Sequence, residues 1–153
     1  MPLRAAYGRP LRLAIIGGGP DSWIGALHRG AAEMDGWFRT TAGVFSSDPA
    51  RSRAAGAALG LDPARSYGSV AEMLQAEVAR ADGVDAVAIM SPNDTHHGYA
   101  AAALDAGLDV VCDKPVTHDH AQACDLVRRR RATGRLNAAQ PGPASGPIGP
   151  LAV

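Results

Sequence analysis

The run Leu11 to Ile16 is apolar and strand-like, and it opens directly into Gly17-Gly18-Gly19. Glycines at that junction leave backbone with no side chain in the way, so a turn can come close to a pyrophosphate and hand it to the N-terminus of the following helix. A second junction matches it much later. Val110-Val111-Cys112 ends on Asp113-Lys114-Pro115, which sets a cation after another strand. In open α/β sheets ligands collect outside the carboxyl ends of the strands, so both junctions are expected to face one crevice.

Between these junctions, apolar runs alternate with helix-like segments, the pattern of stacked βαβ units with helices on both faces of a parallel sheet. The expected fold is α/β, a Rossmann-type doubly wound parallel sheet. Its five strands are predicted at Leu11 to Ile16, Arg39 to Phe45, a short stretch near Ser66, Val84 to Met90, and Leu108 to Cys112. The helices between them carry stop and start signals. Asp48-Pro49 reads as an N-cap followed by proline at the first helical position, with Gly60 closing that helix. Ser69 and Glu72 form a capping box, behind which Val70, Met73, Leu74 and Val78 fall on one helical face. One further helix runs from near Thr95 to Gly107, and the last from Thr117 to Ala132.

A sixth strand is due at Gly134-Arg135-Leu136, but Asn137-Ala138-Ala139-Gln140 and a run rich in proline and glycine follow. Proline cannot donate to a ladder and the segment has little to bury, so residues 137–153 are expected to be a disordered tail. The folded unit is then residues 1–136. At 153 residues the chain suits one ordinary core. Fifteen bases balance fifteen acids. That balance speaks against nucleic acid or an anionic membrane as partner and for small molecules. Two cysteines, Cys112 and Cys124, show neither disulfide-framework nor metal-ligand spacing, and no charged-then-apolar leader precedes the first strand. The reading is a cytoplasmic protein with no membrane span.

Three stretches together resemble the glucose-fructose oxidoreductase, inositol dehydrogenase and MocA (Gfo/Idh/MocA) family in its N-terminal dinucleotide-binding half. They are Ala14 to Gly19; Val84 to Asn93 with His96 and His97 following; and Ala106 to Pro115. Unrelated dinucleotide-binding proteins share the glycines but not the Lys-Pro signature. The resemblance implies an NAD(P)-dependent oxidoreductase that moves hydride on a sugar, a polyol or a related hydroxy compound. It makes Lys114 the catalytic candidate, holding the nicotinamide ribose and substrate and assisting proton handling. A cation suits that position because it stabilises negative charge developing on oxygen. The family's Glu-Lys-Pro stands here as Asp113-Lys114-Pro115, one methylene shorter with its charge kept. By the same resemblance Pro92, Asn93 and His96 belong beside the cofactor, with Asn93 also able to cap the next helix.

The glycine loop departs from the plain G-x-G-x-x-G spacing, since Ser22 occupies the third position and the next glycine is Gly25. Gly17, Gly18 and Gly19 are expected to serve the turn and the pyrophosphate, with Gly25 letting helix and strand pack closely. At the end of the second strand, where an acid would take the adenosine ribose hydroxyls and favour NAD, Ser46 stands instead. Ser46, Ser47 and Arg51 suit a 2′-phosphate, and Arg51 equally suits a solvated helix. NAD and NADP both remain open. Four histidines, His96, His97, His118 and His120, lack a carboxylate-cysteine cluster, so no metal is expected. Arg128 to Arg131 reads as a solvated final turn facing the helix dipole. Family members continue into a second α/β domain that supplies the substrate pocket. That domain is missing from this sequence, which gives the chain the look of a truncated, frame-shifted or split product. A small-molecule substrate is therefore expected only where a second domain is supplied; the alternative is a nucleotide-binding module without catalysis.

Overall fold

The computed structural model describes residues 8–139, which fold around a five-stranded, all-parallel sheet. Its strands are β1 (Leu11–Gly17), β2 (Phe38–Val44), β3 (Ala86–Met90), β4 (Asp109–Cys112) and β5 (Asn137–Ala139). They lie in the order β2-β1-β3-β4-β5. Between them run α1 (Trp23–Met34), α2 (Pro49–Ala58), a short 3₁₀ turn (Pro63–Arg65), α3 (Val70–Val78), α4 (Asn93–Asp105) and α5 (His120–Thr133). From β1 the chain moves outward to β2, then returns across β1 to β3. That reversal opens a crevice at the carboxyl end of β1, the switch point where such sheets bind ligands.

Side-chain alternation on β1 explains why the sheet is covered on both faces. Leu13 and Ile15 point to one side, where Phe45, Ala88 and Met90 meet Ala32 of α1 and Ala55 of α2. Ala14 and Ile16 point to the other, joined by Val87, Ile89, Val110 and Cys112 against Met73, Leu104 and Leu126. Every residue of β3 is buried, as expected for a central parallel strand. Each fully buried Ile or Leu contributes roughly 1.5 to 3 kcal/mol.

Several elements follow the expected punctuation. Asp48 caps α2 by accepting from the Arg51 backbone N–H at 2.8 Å, and Gly60 and Gly107 are left-handed just past helix ends. Ser69 caps α3 through the Glu72 N–H at 3.2 Å, while the Glu72 carboxylate reaches back to the Gly68 N–H at 2.9 Å. The last helix starts later than expected, at His120, because Asp119 takes the Gln122 N–H and fixes the N-cap there.

Four expectations need correction. The stretch near Ser66 is an isolated bridge to Gly43 and not a strand. A 3₁₀ turn ends at Arg65 and α3 is capped at Ser69, which leaves no length for a ladder. Val78 does not share the buried face of α3. It is 54% exposed, whereas Glu77 is 1% exposed. Glu77 is drawn inward by donors: Arg65 Nε at 3.0 Å, the Tyr67 hydroxyl at 2.8 Å and the Val84 N–H at 3.2 Å. Burial and the Glu77 carboxylate together push the Tyr67 hydroxyl up to about 12.

The third correction concerns the boundary at Leu136. Asn137–Ala139 pair in parallel with Val110 to Cys112, and Leu136 is itself held by Asp109, so the sheet runs three residues further. Small side chains are tolerated because the strand is specified by its backbone partners, and proline begins only at Pro141. The expected tail at 140–153 lies outside the described residues. Fourth, the arginine run is not uniformly solvated. Arg130 and Arg131 are exposed, but Arg128 reaches Asp125 at 2.6 Å, and Arg129 bridges Asp105 on α4 and Asp125 on α5, the latter at 2.8 Å. These bonds, with His97 also on Asp125, hold its carboxyl down at about 2.

Candidate dinucleotide site

β1 ends in a left-handed turn, with φ of 82° at Gly17 and 57° at Gly18. A side chain on Gly17 would stand 2.6 Å from the Met90 carbonyl oxygen, so both conformation and space demand glycine. Gly19 has room: a Cβ there would meet Phe45 at 3.8 Å. The turn therefore rests on Gly17 and Gly18, while Gly19 contributes a carbonyl that accepts from the Ser22 N–H at 3.0 Å. Ser22 is the N-cap of α1 and takes the Gly25 N–H at 3.1 Å. Gly25 packs against the turn so closely that a Cβ would lie 2.2 Å from the Gly18 carbonyl oxygen. This is the close approach expected of a third glycine, reached through a longer loop. Arg29, one turn further along α1, donates to the same Gly18 carbonyl.

At the end of β2, Ser52 Oγ accepts from the Phe45 N–H at 2.9 Å and fixes where the strand stops. Ser46 Oγ accepts from the Asp48 N–H at 3.1 Å. Ser47 and Arg51 are exposed, and neither side chain has a partner among the described residues. Asp48 is occupied as the cap of α2.

β3 ends at Ser91-Pro92. The Ser91 hydroxyl lies 2.7 Å from Thr95 Oγ1, which donates onward to the Pro92 carbonyl at 2.6 Å. Pro92 occupies the N-cap position and Asn93 is already the first residue of α4, so Asn93 does not cap this helix. Its exposed side chain has no partner among the described residues.

At the end of β4 the Asp113 N–H continues the ladder to the Ile89 carbonyl at 2.9 Å. The Asp113 carboxylate takes the backbone N–H of Lys114 at 2.8 Å. Lys114 is exposed, and among the described residues its ammonium pairs with no carboxylate. The Lys114-Pro115 peptide is cis. Burial beside Asp113 pushes the Cys112 thiol up to about 12, leaving it inert behind this turn.

His96 is 1% exposed. Its Nδ1 lies 2.8 Å from the Pro115 carbonyl and its Nε2 2.8 Å from the Ser91 carbonyl. Both ring nitrogens are therefore taken by backbone, and neither faces open space. His97 pairs with Asp125, and His118 and His120 are exposed. Among the described residues, no three His, Cys, Asp or Glu side chains gather as a metal would require.

A cleft of about 620 Å³ lies over the switch point, lined by Gly17, Phe45, Ser46, Ser47, Ser91 and Pro92 among others. Gly68 and Ser69, Thr95 and Tyr99 also line it. These were not anticipated as site residues. The capping box at Ser69 was legible, and it marks a helix N-terminus following the bridge at the carboxyl end of β2, which is where the crevice lies. Tyr99 sits one turn after Thr95 on α4, which gives the two a common face.

Residues 11–139 match the model of an oxidoreductase family described by its NAD-binding Rossmann fold. The chain belongs to the Gfo/Idh/MocA family. An oxidoreductase from Bacillus subtilis, YfiI, is 37% identical over 129 residues, which cover 84% of this chain and 33% of that protein. Inositol 2-dehydrogenase from Streptomyces avermitilis is 36% identical over 115 residues, covering 73% of this chain and 32% of the enzyme. Among solved structures, an inositol dehydrogenase homologue from Azotobacter vinelandii, complexed with NADH and myo-inositol, superposes with a TM-score of 0.83 at 41% identity. That match covers 86% of this chain and 35% of the other. The chain thus spans about a third of the length of the Gfo/Idh/MocA relatives it matches. The aligned region is the dinucleotide-binding unit.

Proposed function

We propose that this chain is the NAD(P)-binding unit of a Gfo/Idh/MocA oxidoreductase, one that works on the hydroxyl of a polyol or sugar where a substrate domain is supplied. The observation that carries this reading is the convergence at one end of the sheet. The tight turn at Gly17, the serines after β2 and Ser91-Pro92 after β3 line one cleft, and Lys114, whose ammonium meets no carboxylate among the described residues, follows the neighbouring β4 at the same end of the parallel sheet. The cradle fits a dinucleotide: Gly17 and Gly25 remove side chains exactly where backbone must come close, and Gly19 leaves room above the helix N-terminus.

In this reading Gly17, Gly18 and Gly19 hold the pyrophosphate. Ser46 and Ser47 hydrogen-bond the adenosine ribose, with Arg51 placed to meet a 2′-phosphate, so both NAD and NADP are accommodated. Pro92 and Asn93 border the nicotinamide end. Asp113 pins the Lys114 backbone, and the Lys114 ammonium stabilises negative charge on the reacting oxygen and handles its proton. When bound, the coenzyme takes up or delivers the hydride. The polyol class is supported by the inositol dehydrogenases among the relatives. A cytoplasmic setting is supported by two free cysteines, and among the described residues no helix is long and apolar enough to cross a membrane. The unit is tested by calorimetric titration of the chain with NAD⁺ and NADP⁺; binding of neither would overturn it. Turnover is tested by adding the remaining two-thirds of an inositol dehydrogenase as a separate polypeptide. NADH formation from myo-inositol only on mixing supports it, and none with any supplied half counts against it.

A further inference from the structure

We propose that His96 is a positioning residue, a strut that sets the Lys114-Pro115 turn against the end of β3. The inference rests on the dinucleotide reading of the cleft and deepens it. His96 stands on α4, yet both of its ring nitrogens leave that helix. One reaches the Pro115 carbonyl after β4, and the other reaches the Ser91 carbonyl after β3, each at 2.8 Å. Ser91 lines the cleft together with Gly17, and the Lys114-Pro115 turn follows β4, on the side of β3 away from β1.

The Lys114 turn needs such a tie. The sheet ladder ends with the Asp113 N–H on Ile89, and the next bond, from the Lys114 N–H to Asp113, is local. Beyond it, among the described residues, the contact to His96 is the first long-range hydrogen bond the turn makes. Lys114 is exposed, so its ammonium is placed by where its backbone is held and not by packing around the side chain. The contacts are specific to a ring with nitrogens on opposite edges. Both carbonyls are acceptors, so a neutral ring donates to one of them through its single N–H and meets the other in close contact. The ring is 1% exposed, so deleting it takes the donor away from a buried carbonyl.

Two measurements on the full 153-residue chain test this. The first is amide hydrogen exchange, with no ligand present. In His96→Ala, exchange at the Asp113 and Lys114 amides, both hydrogen-bonded in this turn, is expected to quicken at least about tenfold, the size of one lost buried hydrogen bond. The Gly25 and Ser52 amides, on the glycine-turn side, are expected to be unchanged. Uniform acceleration at all four, or none at Asp113 and Lys114, would overturn the strut. His96→Gln keeps a donor on a side chain of similar reach, and smaller acceleration at the same two amides is expected. It carries the test if the alanine variant does not fold.

The second measurement is calorimetry with NAD⁺ and with ADP-ribose, which lacks the nicotinamide. His96→Ala is expected to lower NAD⁺ affinity about tenfold and ADP-ribose affinity less than twofold. Combined with Lys114→Ala, the losses in NAD⁺ affinity are expected to fall short of additive, because both act through one ammonium. Equal losses for the two ligands, or full additivity, would contradict the proposal. Wild-type protein that binds no NAD⁺ would instead remove the dinucleotide reading, while the exchange experiment would still judge the strut.

Discussion

Two glycines on α1 should answer the same substitution with opposite signs. Gly25 and Gly30 both sit in the helix with ordinary backbone dihedrals, so alanine is conformationally welcome at each. At Gly30 a Cβ meets nothing within 4 Å, and only the helix-propensity term remains. Gly30→Ala should stabilise the protein by about 0.5 to 1 kcal/mol. At Gly25 the same Cβ falls 2.2 Å from the Gly18 carbonyl oxygen and 2.6 Å from its carbon. Real Cβ atoms essentially never come within 3.0 Å, so the helix and the glycine turn must part by close to an ångström. Both clashing partners are backbone, which no rotamer change relieves. Overpacking of this kind costs about 1 to 3 kcal/mol, and a rigid backbone contact belongs at the upper end. After the propensity gain, Gly25→Ala should lose about 2 kcal/mol, or roughly 4 to 8 °C in Tm for a domain of this size. Because the displaced turn carries the proposed pyrophosphate seat, dinucleotide affinity should fall with it. Urea unfolding monitored by circular dichroism reads both signs. A Gly25→Ala variant as stable as Gly30→Ala would refute the close-packing role assigned to Gly25.

Three further outcomes follow from the same structure. Lys114→Ala should abolish turnover in a reconstituted enzyme while changing ADP-ribose affinity less than twofold by calorimetry; equal loss of both would undo its assignment. Removing Glu77 as Glu77→Leu leaves Arg65, which is 6% exposed, with Asp82 as its charge partner at 3.6 Å, and should cost about 3 kcal/mol in urea unfolding, with a cost under about 1 kcal/mol contradicting the buried network. Burial under α1 lowers the His28 pKa, only partly offset by the Asp113 carboxylate. The unfolded chain therefore takes up this proton first. The His28 contribution is complete above the unfolded value of about 6.5 and is lost as pH falls below it, so Tm should drop more steeply from pH 7 to 5 in wild type than in His28→Leu. Parallel pH profiles would count against it.

The sheet and its switch point were legible in the sequence because parallel strands buried on both faces leave unbroken apolar runs, as Ala86 to Met90 shows. Helix ends were legible where a cap and a proline or glycine coincide, as at Asp48-Pro49 and Gly60. What escaped was specified by tertiary partners. Asn137–Ala139 reads as poor strand but pairs with β4, and Glu77 reads as a surface acid until Arg65, Tyr67 and the Val84 N–H converge on it. The reverse error at Val78 has the same origin, since a periodic stripe cannot register a charged neighbour with better partners inside. Within the site, Gly17, Ser46, Ser47 and Pro92 were named from sequence and line one cleft. His96 was legible only as a neighbour of the cofactor. Its position between two carbonyls depends on turns 5 and 19 residues away in the chain.

In the proposed reading a pyridine dinucleotide lies across the carboxyl ends of β1, β3 and β4. The most direct measurement is a titration of ¹⁵N-labelled protein with NAD⁺ and NADP⁺, following backbone amides by NMR. Saturable shifts at Gly17, Gly18, Ser46 and Lys114, with the amides around Asp85 and Gly107 at the opposite end of the sheet unmoved, are the predicted result. A folded protein whose amides at the glycine turn and the Lys114 turn stay unchanged at millimolar levels of both coenzymes would contradict it.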